Sequence, residues 1–195
     1  MTLRIVPRAA GQRMRWKNGA GWTTEIVRRD GGDGALDWRI SVAEVDADSE
    51  FSAFPGCDRT LLVLEGEGIE LAVDGNERAL LGPRSGPYVF SGDAPAKCRV
   101  LDGPTRDFNV ITRRAAWAHK VMFRPLVGPM LLLAEPGTAW IGHLAAGRAA
   151  RQHGDDLPLE AGDTFVLEAD GERREQLVIS GGGEIVLAQL VPATR

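Results

Sequence analysis

The residues of this chain that could do chemistry are concentrated in its first sixty positions and in one later segment. In the densest run, from Trp16 to Glu25, two tryptophans, two glycines, an asparagine, two threonines and a glutamate fall within ten positions. Three further segments, 38–45, 51–59 and 107–110, combine aromatic residues with arginine, serine, aspartate or asparagine. Such a composition, without a helical pattern, indicates a backbone that turns sharply beside a flat or polar group. We expect the functional residues to lie in these four segments.

Arg59 is the residue with the clearest chemical role. In a strand over 59–64, its side chain shares a face with Leu61 and Val63. A charge on an apolar, inward face is costly unless it is paired. Its partner could be the carboxylate of Glu25 or that of a bound ligand, since a guanidinium grips two carboxylate oxygens at once. The alternative is an arginine at the rim of a barrel that reaches solvent.

Asn109 and Ser41 are candidates for hydrogen bonds to the same ligand. Asparagine is unfavourable in strands, so an inward Asn109 needs partners from the backbone or from a ligand. Ser41 shares a strand face with Arg39, opposite the apolar face that carries Trp38. Both polar residues are therefore predicted to lie beside a bound group.

The segment around Trp16 and Trp22 offers aromatic surface and a turn. These tryptophans could wall an apolar or aromatic ligand, although a tryptophan in a small barrel is more often part of the core. Gly19 permits left-handed backbone geometry, which would expose amide groups toward a bound group. The alternative for Asn18-Gly19 is a simple turn.

Histidine and cysteine are too sparse for a metal or thiol site. The histidines, His119, His143 and His153, form no His-x-His pair. Cys57 and Cys98 lie far apart and form no Cys-x-x-Cys motif. We therefore expect no transition-metal site, no disulfide framework and no cofactor. Cys57 is expected to be a small filler residue, and no Gly-x-Ser-x-Gly elbow indicates a serine nucleophile.

Composition and charge are ordinary for a soluble globular protein. Of 195 residues, 23 are lysine or arginine and 27 are aspartate or glutamate, which gives a net charge of −4. This balance provides no electrostatic reason to bind nucleic acid. Neither a signal peptide nor an apolar run of about 18 residues marks export or membrane insertion. We expect a cytoplasmic protein without nucleic-acid or membrane partners.

Period-two alternation recurs along the chain and predicts an all-β fold of antiparallel strands. In the first half it predicts strands over 23–29, 38–45, 59–64, 69–73, 97–101 and 107–113, with a tight turn at Asp74-Gly75. In the second half it predicts strands over 130–134, 138–144, 164–168, 175–179 and 184–191. Gly181-Gly182-Gly183 is expected to form a turn between the last two strands. The segment 145–152 could form at most a short helix.

A weak internal repeat divides the chain into two halves. Gly-Asp turns at Gly92-Asp93 and Gly162-Asp163 each adjoin strand-like segments, a pattern similar to that of cupin barrels. The join is expected near 115–129, which gives an N-terminal half of about 1–115 and a C-terminal half of about 116–195. No Ser- or Pro-rich linker separates the halves, so we expect residues 1–195 to form a single compact body.

Several motifs together resemble the HutD/Ves family. They are Trp16-x-Asn18-Gly19-x-Gly21-x-Thr23-x-Glu25, Trp38-Arg39-x-Ser41-x-Ala43-x-Val45, Phe51-Ser52-x-Phe54-Pro55-Gly56-x-Asp58-Arg59, Gly92-Asp93 and Asp107-Phe108-Asn109. The resemblance covers nearly the whole first half, whereas the second half matches only in strand style and length. It implies a bicupin, that is, two double-stranded β-helix (jelly-roll) barrels with few short helices, that lacks the usual metal ligands.

The resemblance also implies a function. Members of the HutD/Ves family are associated with bacterial histidine utilisation as accessory or regulatory proteins, and the Ves branch is linked to stress response. The N-terminal cupin is expected to hold a pocket for a small carboxylate such as urocanate or N-formylglutamate. Edge strands of cupin-like barrels often pair between subunits, which allows a homodimer.

The leading hypothesis is a non-enzymatic, ligand-binding bicupin. Its expected ligand site consists of Arg59 as the carboxylate anchor, Glu25 beside it, Thr23, Ser41 and Asn109 as hydrogen-bonding groups, Trp16 and Phe54 as apolar walls, and Asn18 and Gly19 as the turn. Glu25 is expected to orient Arg59 or to meet a donor group of the ligand.

Two alternatives stay open at this point. One is a metal-independent enzyme, an isomerase or a hydrolase, that uses Glu25 as a general base, because the interior of a barrel can raise the pKa of a carboxyl group. The other is a structural or partner-binding module, in which the motif residues form the core and Arg59 lies at the rim.

Overall fold

The computed structural model describes residues 2–75, 78–83, 85–152, 157–169 and 171–194. These residues form β-strands and one short 3-10 turn, Arg8–Ala10, which confirms the all-β prediction. The strands are β1 (Thr2–Val6), β2 (Gln12–Arg15), β3 (Gly21–Asp30), β4 (Leu36–Val45), β5 (Ser49–Phe51), β6 (Cys57–Glu65), β7 (Ile69–Val73), β8 (Ala79–Leu81), β9 (Tyr88–Ser91), β10 (Ala96–Val100), β11 (Thr105–Arg113), β12 (Trp117–Ala134), β13 (Ala139–Arg151), β14 (Pro158–Glu160), β15 (Thr164–Glu168) and β16 (Glu175–Pro192). In the described ranges no helix has the length and apolar character needed to cross a membrane.

One compact unit, Gln12–Trp117, carries two antiparallel sheets. The larger has the strand order β2-β3-β4-β11-β6-β9 and the smaller β5-β10-β7-β8. Successive side chains of a strand point to opposite sides, so each alternating strand presents one apolar face. The apolar faces of the two sheets contribute to one buried cluster: Val45, Leu61, Val63, Ile69, Leu71, Leu81, Phe90, Ala96 and Cys98. The two cysteines of this unit are buried free thiols.

The turn after β7 follows the sequence expectation. Asp74 and Gly75 both adopt positive φ, 54° and 69°. This is the backbone geometry of the tight turns that match the twist of a hairpin. β7 and β8 then pair antiparallel, with Ile69 opposite Leu81.

The second compact unit consists of residues 1–11 and 118–195. Its sheet has the order β1-β15-β13-β16-β12, and β14 pairs with β13. β1 lies antiparallel to β15, with Thr2 opposite Glu168 and Val6 opposite Thr164. The first residues of the chain, which the sequence analysis placed with the N-terminal half, therefore pair with a strand of the second half. The two-barrel form stays a prediction.

Two expectations for the second half are wrong. Gly181-Gly182-Gly183 is not a turn: it lies inside β16 and pairs with β13, with Gly147 opposite Gly183. The segment 145–151 is extended rather than helical and belongs to β13. Glycine explains both differences, because Gly147 has φ +88°, and a Cβ there would overlap the carbonyl oxygen of Gly182. The glycines thus allow a bulge in a continuous ladder where the sequence pattern indicated a break.

Candidate functional site

The unit Gln12–Trp117 contains a cavity of about 530 Å³. Its walls come from β2, β3, β4, β6 and β11 and from the segments 16–18 and 50–54. This volume suits a small organic ligand, because ligand pockets span roughly 300–1,000 Å³. Seven of the nine predicted site residues line it: Trp16, Asn18, Thr23, Ser41, Phe54, Arg59 and Asn109.

The antiparallel register of the larger sheet brings these side chains together. Ile111 of β11 lies opposite Arg39 of β4 and Arg59 of β6. Two positions along β11, Asn109 lies opposite Ser41. Residues in such cross-strand rows, two positions apart, point to the same face of a sheet. Residues that are far apart in the sequence therefore meet on the face that borders the cavity.

Arg59 lies on the inward face, as its parity predicted, and is only 6% exposed. Its Nη1 donates a hydrogen bond to the backbone oxygen of Ser52 (3.1 Å), and its Nη2 donates to Oδ1 of Asn109 (3.0 Å). Its buried Nε has no hydrogen-bond partner within the described chain. The guanidinium carbon lies 5.6, 5.3 and 4.8 Å from the ring centroids of Phe51, Phe54 and Phe90. Arg59 is thus held by neutral oxygens and aromatic faces.

Asp107 is a buried residue of the cavity that the sequence analysis did not include in the expected site. Its side chain lines the cavity region, is fully buried, and accepts a hydrogen bond at Oδ1 from Nδ2 of Asn109. Its Oδ2 has no hydrogen-bond partner among the described residues. Asn109 therefore bridges the guanidinium of Arg59 and the carboxyl of Asp107. The alternation of side chains along β11 could have indicated this position, because Asp107 and Asn109 are two positions apart and share a strand face.

The electrostatics of this group follow from burial. Burial raises the pKa of the Asp107 carboxyl to about 7, and the nearby charge of Arg59 opposes this rise. Burial also lowers the pKa of Arg59 to about 10, which the charge of Asp107 opposes and the charge of Arg39 reinforces. Arg59 consequently stays protonated at neutral pH, whereas Asp107 titrates there.

The expected contact between Glu25 and Arg59 is not formed. Oε2 of Glu25 accepts a hydrogen bond from Nε of Arg39 at 2.6 Å, and both side chains are largely buried. Strand order explains the difference: β3, which carries Glu25, is adjacent to β4, whereas β4 and β11 separate it from β6. Glu25 meets the arginine of the neighbouring strand instead, and it lies outside the described lining of the cavity.

Trp16 forms one wall of the cavity and is fixed in place by polar and aromatic contacts. Its Nε1 donates a hydrogen bond to Oγ1 of Thr23 at 2.7 Å. Its ring packs edge-on against Phe51, with the ring centroids 6.0 Å apart and the planes at 84°. Both contacts hold the indole in a single orientation at the cavity.

Gly19 does not present its amide to the cavity as expected. It has φ +75°, but its N–H donates to the backbone oxygen of Trp16 at 3.0 Å. Oδ1 of Asn18 accepts a hydrogen bond from the backbone N–H of Ala20 at 3.0 Å. The alternative of a simple turn thus describes Asn18-Gly19, and the turn places the side chain of Asn18 at the cavity while Gly19 stays outside the described lining.

The charged residues of the lining favour an anion. Four of them are cationic and two are acidic: Arg15, Lys17, Arg39, Arg59, Glu50 and Asp107. Glu25 compensates the charge of Arg39 directly, while Arg59 has no directly bonded carboxylate in the described chain. The surplus of positive charge, together with the buried guanidinium, is suited to a ligand with an anionic oxygen group.

None of the described histidines and cysteines is among the residues that line the cavity. Nδ1 of His143 is 2.9 Å from Oγ1 of Thr164 in the second unit, and His153 lies outside the described residues. Across the ranges that the structure describes, no three histidine, cysteine, aspartate or glutamate residues form a group that could hold a metal ion.

Comparisons with known proteins agree with the motif resemblance. The family model described as HutD matches residues 8–187. A 21.2 kDa protein from the hutC 3′ region of Pseudomonas putida is 44% identical over 171 residues, which cover 82% of this chain and 88% of that protein.

Two solved structures match over nearly their whole lengths. The structure of HutD from Pseudomonas fluorescens SBW25, described for a formate condition, has a TM-score of 0.83 and 29% identity, and the match covers 99% of this chain and 100% of that one. A conserved protein of Pseudomonas aeruginosa PAO1 has a TM-score of 0.83 and 32% identity, and the match covers both chains completely. These matches confirm the resemblance that the sequence motifs indicated.

Proposed function

The chain belongs to the HutD family, and we propose that its cavity binds a small carboxylate and that the protein is a non-enzymatic accessory or regulatory component of histidine utilisation. The observation that carries this proposal is Arg59. Its buried guanidinium lines the cavity and donates hydrogen bonds to neutral oxygens. A buried charge of this kind is costly without compensation, and the carboxylate of a ligand would provide it.

The neighbours of Arg59 suit the remainder of a small acid. The second N–H of the Asn109 side-chain amide and the hydroxyl of Ser41 offer hydrogen bonds beside the guanidinium. Trp16 and Phe54 supply flat apolar surface that would pack against a planar or aliphatic portion of the ligand. Urocanate and N-formylglutamate both combine a carboxylate with such a portion, and they are the ligands to test first.

The relatives support the proposed context. The Pseudomonas putida relative comes from the hutC 3′ region, and the HutD structure of Pseudomonas fluorescens is described for a formate condition. Formate is the smallest carboxylate, so it is a useful competitor in a binding experiment. The predicted homodimer, the cytoplasmic location and the two-barrel form belong to the same proposal.

The enzymatic alternative has less support. It requires Glu25 to take a proton from a bound substrate. The ion pair with Arg39 occupies this carboxylate, which also lies outside the described lining of the cavity. We therefore favour binding without turnover.

Isothermal titration of the protein with urocanate, N-formylglutamate and histidine tests the proposal. We expect saturable binding of one of the acids and at least about 30-fold weaker binding in Arg59→Ala, because removal of one partner of a buried charged pair costs roughly 2–5 kcal/mol. Arg99→Ala is the matched control, because Arg99 is exposed, pairs with Glu70 and does not line the cavity.

Two results would contradict the proposal. One is the absence of binding heat from all three compounds. The other is equal affinity in Arg59→Ala and the unaltered protein, with circular dichroism establishing that the variant is folded. Formate should displace a weakly bound acid, since it competes for the same guanidinium.

A further inference from the structure

The guanidinium of Arg59 and the carboxyl of Asp107 are linked through a single amide side chain, that of Asn109. Nη2 of Arg59 donates to the oxygen of the Asn109 side chain, and the nitrogen of the same side chain donates to Oδ1 of Asp107. Asp107 is fully buried, and its Oδ2 has no hydrogen-bond partner within the described ranges. The carboxyl is thus linked to Arg59 through Asn109, and it acts on the cavity through its charge and through the orientation of the Asn109 amide.

The other ionisable groups on the elements around Asp107 are paired, neutral or exposed to solvent. On β4 and β3, Arg39 and Glu25 form their own ion pair at 2.6 Å. On β10, burial raises the pKa of Cys98 to about 12, with a further rise from the charge of Asp107, so this thiol is neutral at physiological pH. The exposed carboxylate of Glu50 at the cavity wall is screened by solvent. Arg15 and Lys17 also line the cavity but are exposed. Among the described residues, Arg59 on β6 is the charge that opposes the effect of burial on Asp107.

We infer that Asp107 takes up a proton when a carboxylate binds against Arg59, and that the cavity therefore binds anions more tightly as the pH falls. The inference rests on the proposed function. An anion at Arg59 places a second negative charge near a buried carboxylate that has one positive neighbour. Protonation of Asp107 removes the resulting repulsion, and its Oδ1 still accepts the hydrogen bond from Asn109.

The position of the titration supports this inference. The pKa of Asp107 is raised by burial to about 7 in the free protein, and a bound anion would raise it further. If Asp107 stays protonated in the complex over this pH range, the affinity for the anion should be about tenfold higher at about pH 6 than at about pH 8. Asp107→Asn mimics the protonated carboxyl, so this variant should bind with constant affinity over that range.

The test is isothermal titration with N-formylglutamate in buffers that differ in ionisation enthalpy, such as Tris and HEPES, at about pH 8. The carboxylates of this probe stay ionised there, so any proton taken up enters the protein. Urocanate is unsuitable because its imidazole titrates in the same region. The slope of binding enthalpy against buffer ionisation enthalpy gives the number of protons taken up. We expect about one for the unaltered protein and about zero for Asp107→Asn.

Glu65→Gln is the matched control, because Glu65 is an exposed carboxylate that pairs with Arg106 and does not line the cavity. It should keep the proton uptake of the unaltered protein. Binding without proton uptake in the unaltered protein would overturn the inference and leave the proposed function standing. Proton uptake that persists in Asp107→Asn would assign the titration to another group and would also overturn it. Absence of N-formylglutamate binding at any pH would overturn the inference, and the proposed function would then depend on the urocanate titration.

Discussion

Replacement of Arg59 by methionine should destabilise the protein by an amount that grows with pH. Methionine keeps the apolar part of the side chain among the phenylalanines but removes the positive charge that opposes the effect of burial on Asp107. Below about pH 7 the loss of stability is small, because Asp107 is protonated in both folded proteins. Above that pH, the unaltered protein ionises Asp107 in its folded state, whereas the variant retains a proton that the unfolded chain does not bind.

The magnitude follows from the pKa of about 7. A folded-state pKa raised above the unfolded value gives stability that is lost as pH rises through the folded pKa. Without Arg59 the folded-state pKa of Asp107 is higher still, so this loss of stability continues to a higher pH. The free energy of unfolding of the variant should fall, relative to the unaltered protein, by about 1.4 kcal/mol per pH unit above 7. The difference reaches about 2 kcal/mol at about pH 8.5.

Urea unfolding followed by tryptophan fluorescence measures this difference. Four of the five tryptophans lie in the unit that contains Arg59, so the signal reports chiefly on that unit. The same replacement made in an Asp107→Asn background is the control, and its effect should be independent of pH. A pH-independent effect of Arg59→Met in the unaltered background would refute the reasoning, since Asp107 would then not depend on Arg59 for its ionisation.

Three further predictions concern single positions. Gly147→Ala should lower the free energy of unfolding by at least about 2 kcal/mol, because the new Cβ overlaps the carbonyl of Gly182 at positive φ; Gly182→Ala, with open space around its Cβ, should have little effect in the same urea titration. Trp16→Phe should abolish the ligand-induced change in fluorescence and weaken binding of the acid that titrates, and an undiminished change would place the ligand away from Trp16. Glu70→Gln should lower the melting temperature at neutral pH, because the paired arginines hold the pKa of Glu70 at about 2; as pH falls from about 4.5 toward 2 the difference should disappear, and its persistence would contradict the ion-pair explanation.

The inward residues of the site could be predicted because strand parity is a local property. Arg59 precedes Leu61 by two positions, so both share one strand face. Ser41 lies on the face opposite the apolar one that carries Trp38. Neither statement requires knowledge of neighbouring strands. The cavity lining accordingly contains most of the residues that the sequence analysis proposed.

Contacts between side chains on different strands could not be predicted in this way. Glu25 and Arg59 both carry suitable charges, but the order of strands in the sheet decides which arginine Glu25 meets. Asp107 was missed for a different reason. A fully buried aspartate is rare unless it is paired, so parity alone argued weakly for an inward carboxyl beside Asn109.

Glycine was the main source of error in the second half of the chain. A run of three glycines between two apolar segments is typical of a turn. The same run also permits two backbones to approach closely within a ladder, as at Gly147 and Gly183. The choice between these outcomes depends on the partner strand, which carries the complementary glycine far away in the sequence.

The two buried cysteines of the unit Gln12–Trp117 can be used to measure local opening of its two sheets. Alkylating reagents attack the thiolate, and burial raises the pKa of both Cys57 and Cys98. Cys98 lies within the smaller sheet between β5 and β7, whereas Cys57 begins β6 of the larger sheet. Each should be alkylated only when its own sheet opens. The order in which the two thiols of the native protein are alkylated therefore ranks the local stabilities of the two sheets, and no engineered label is needed.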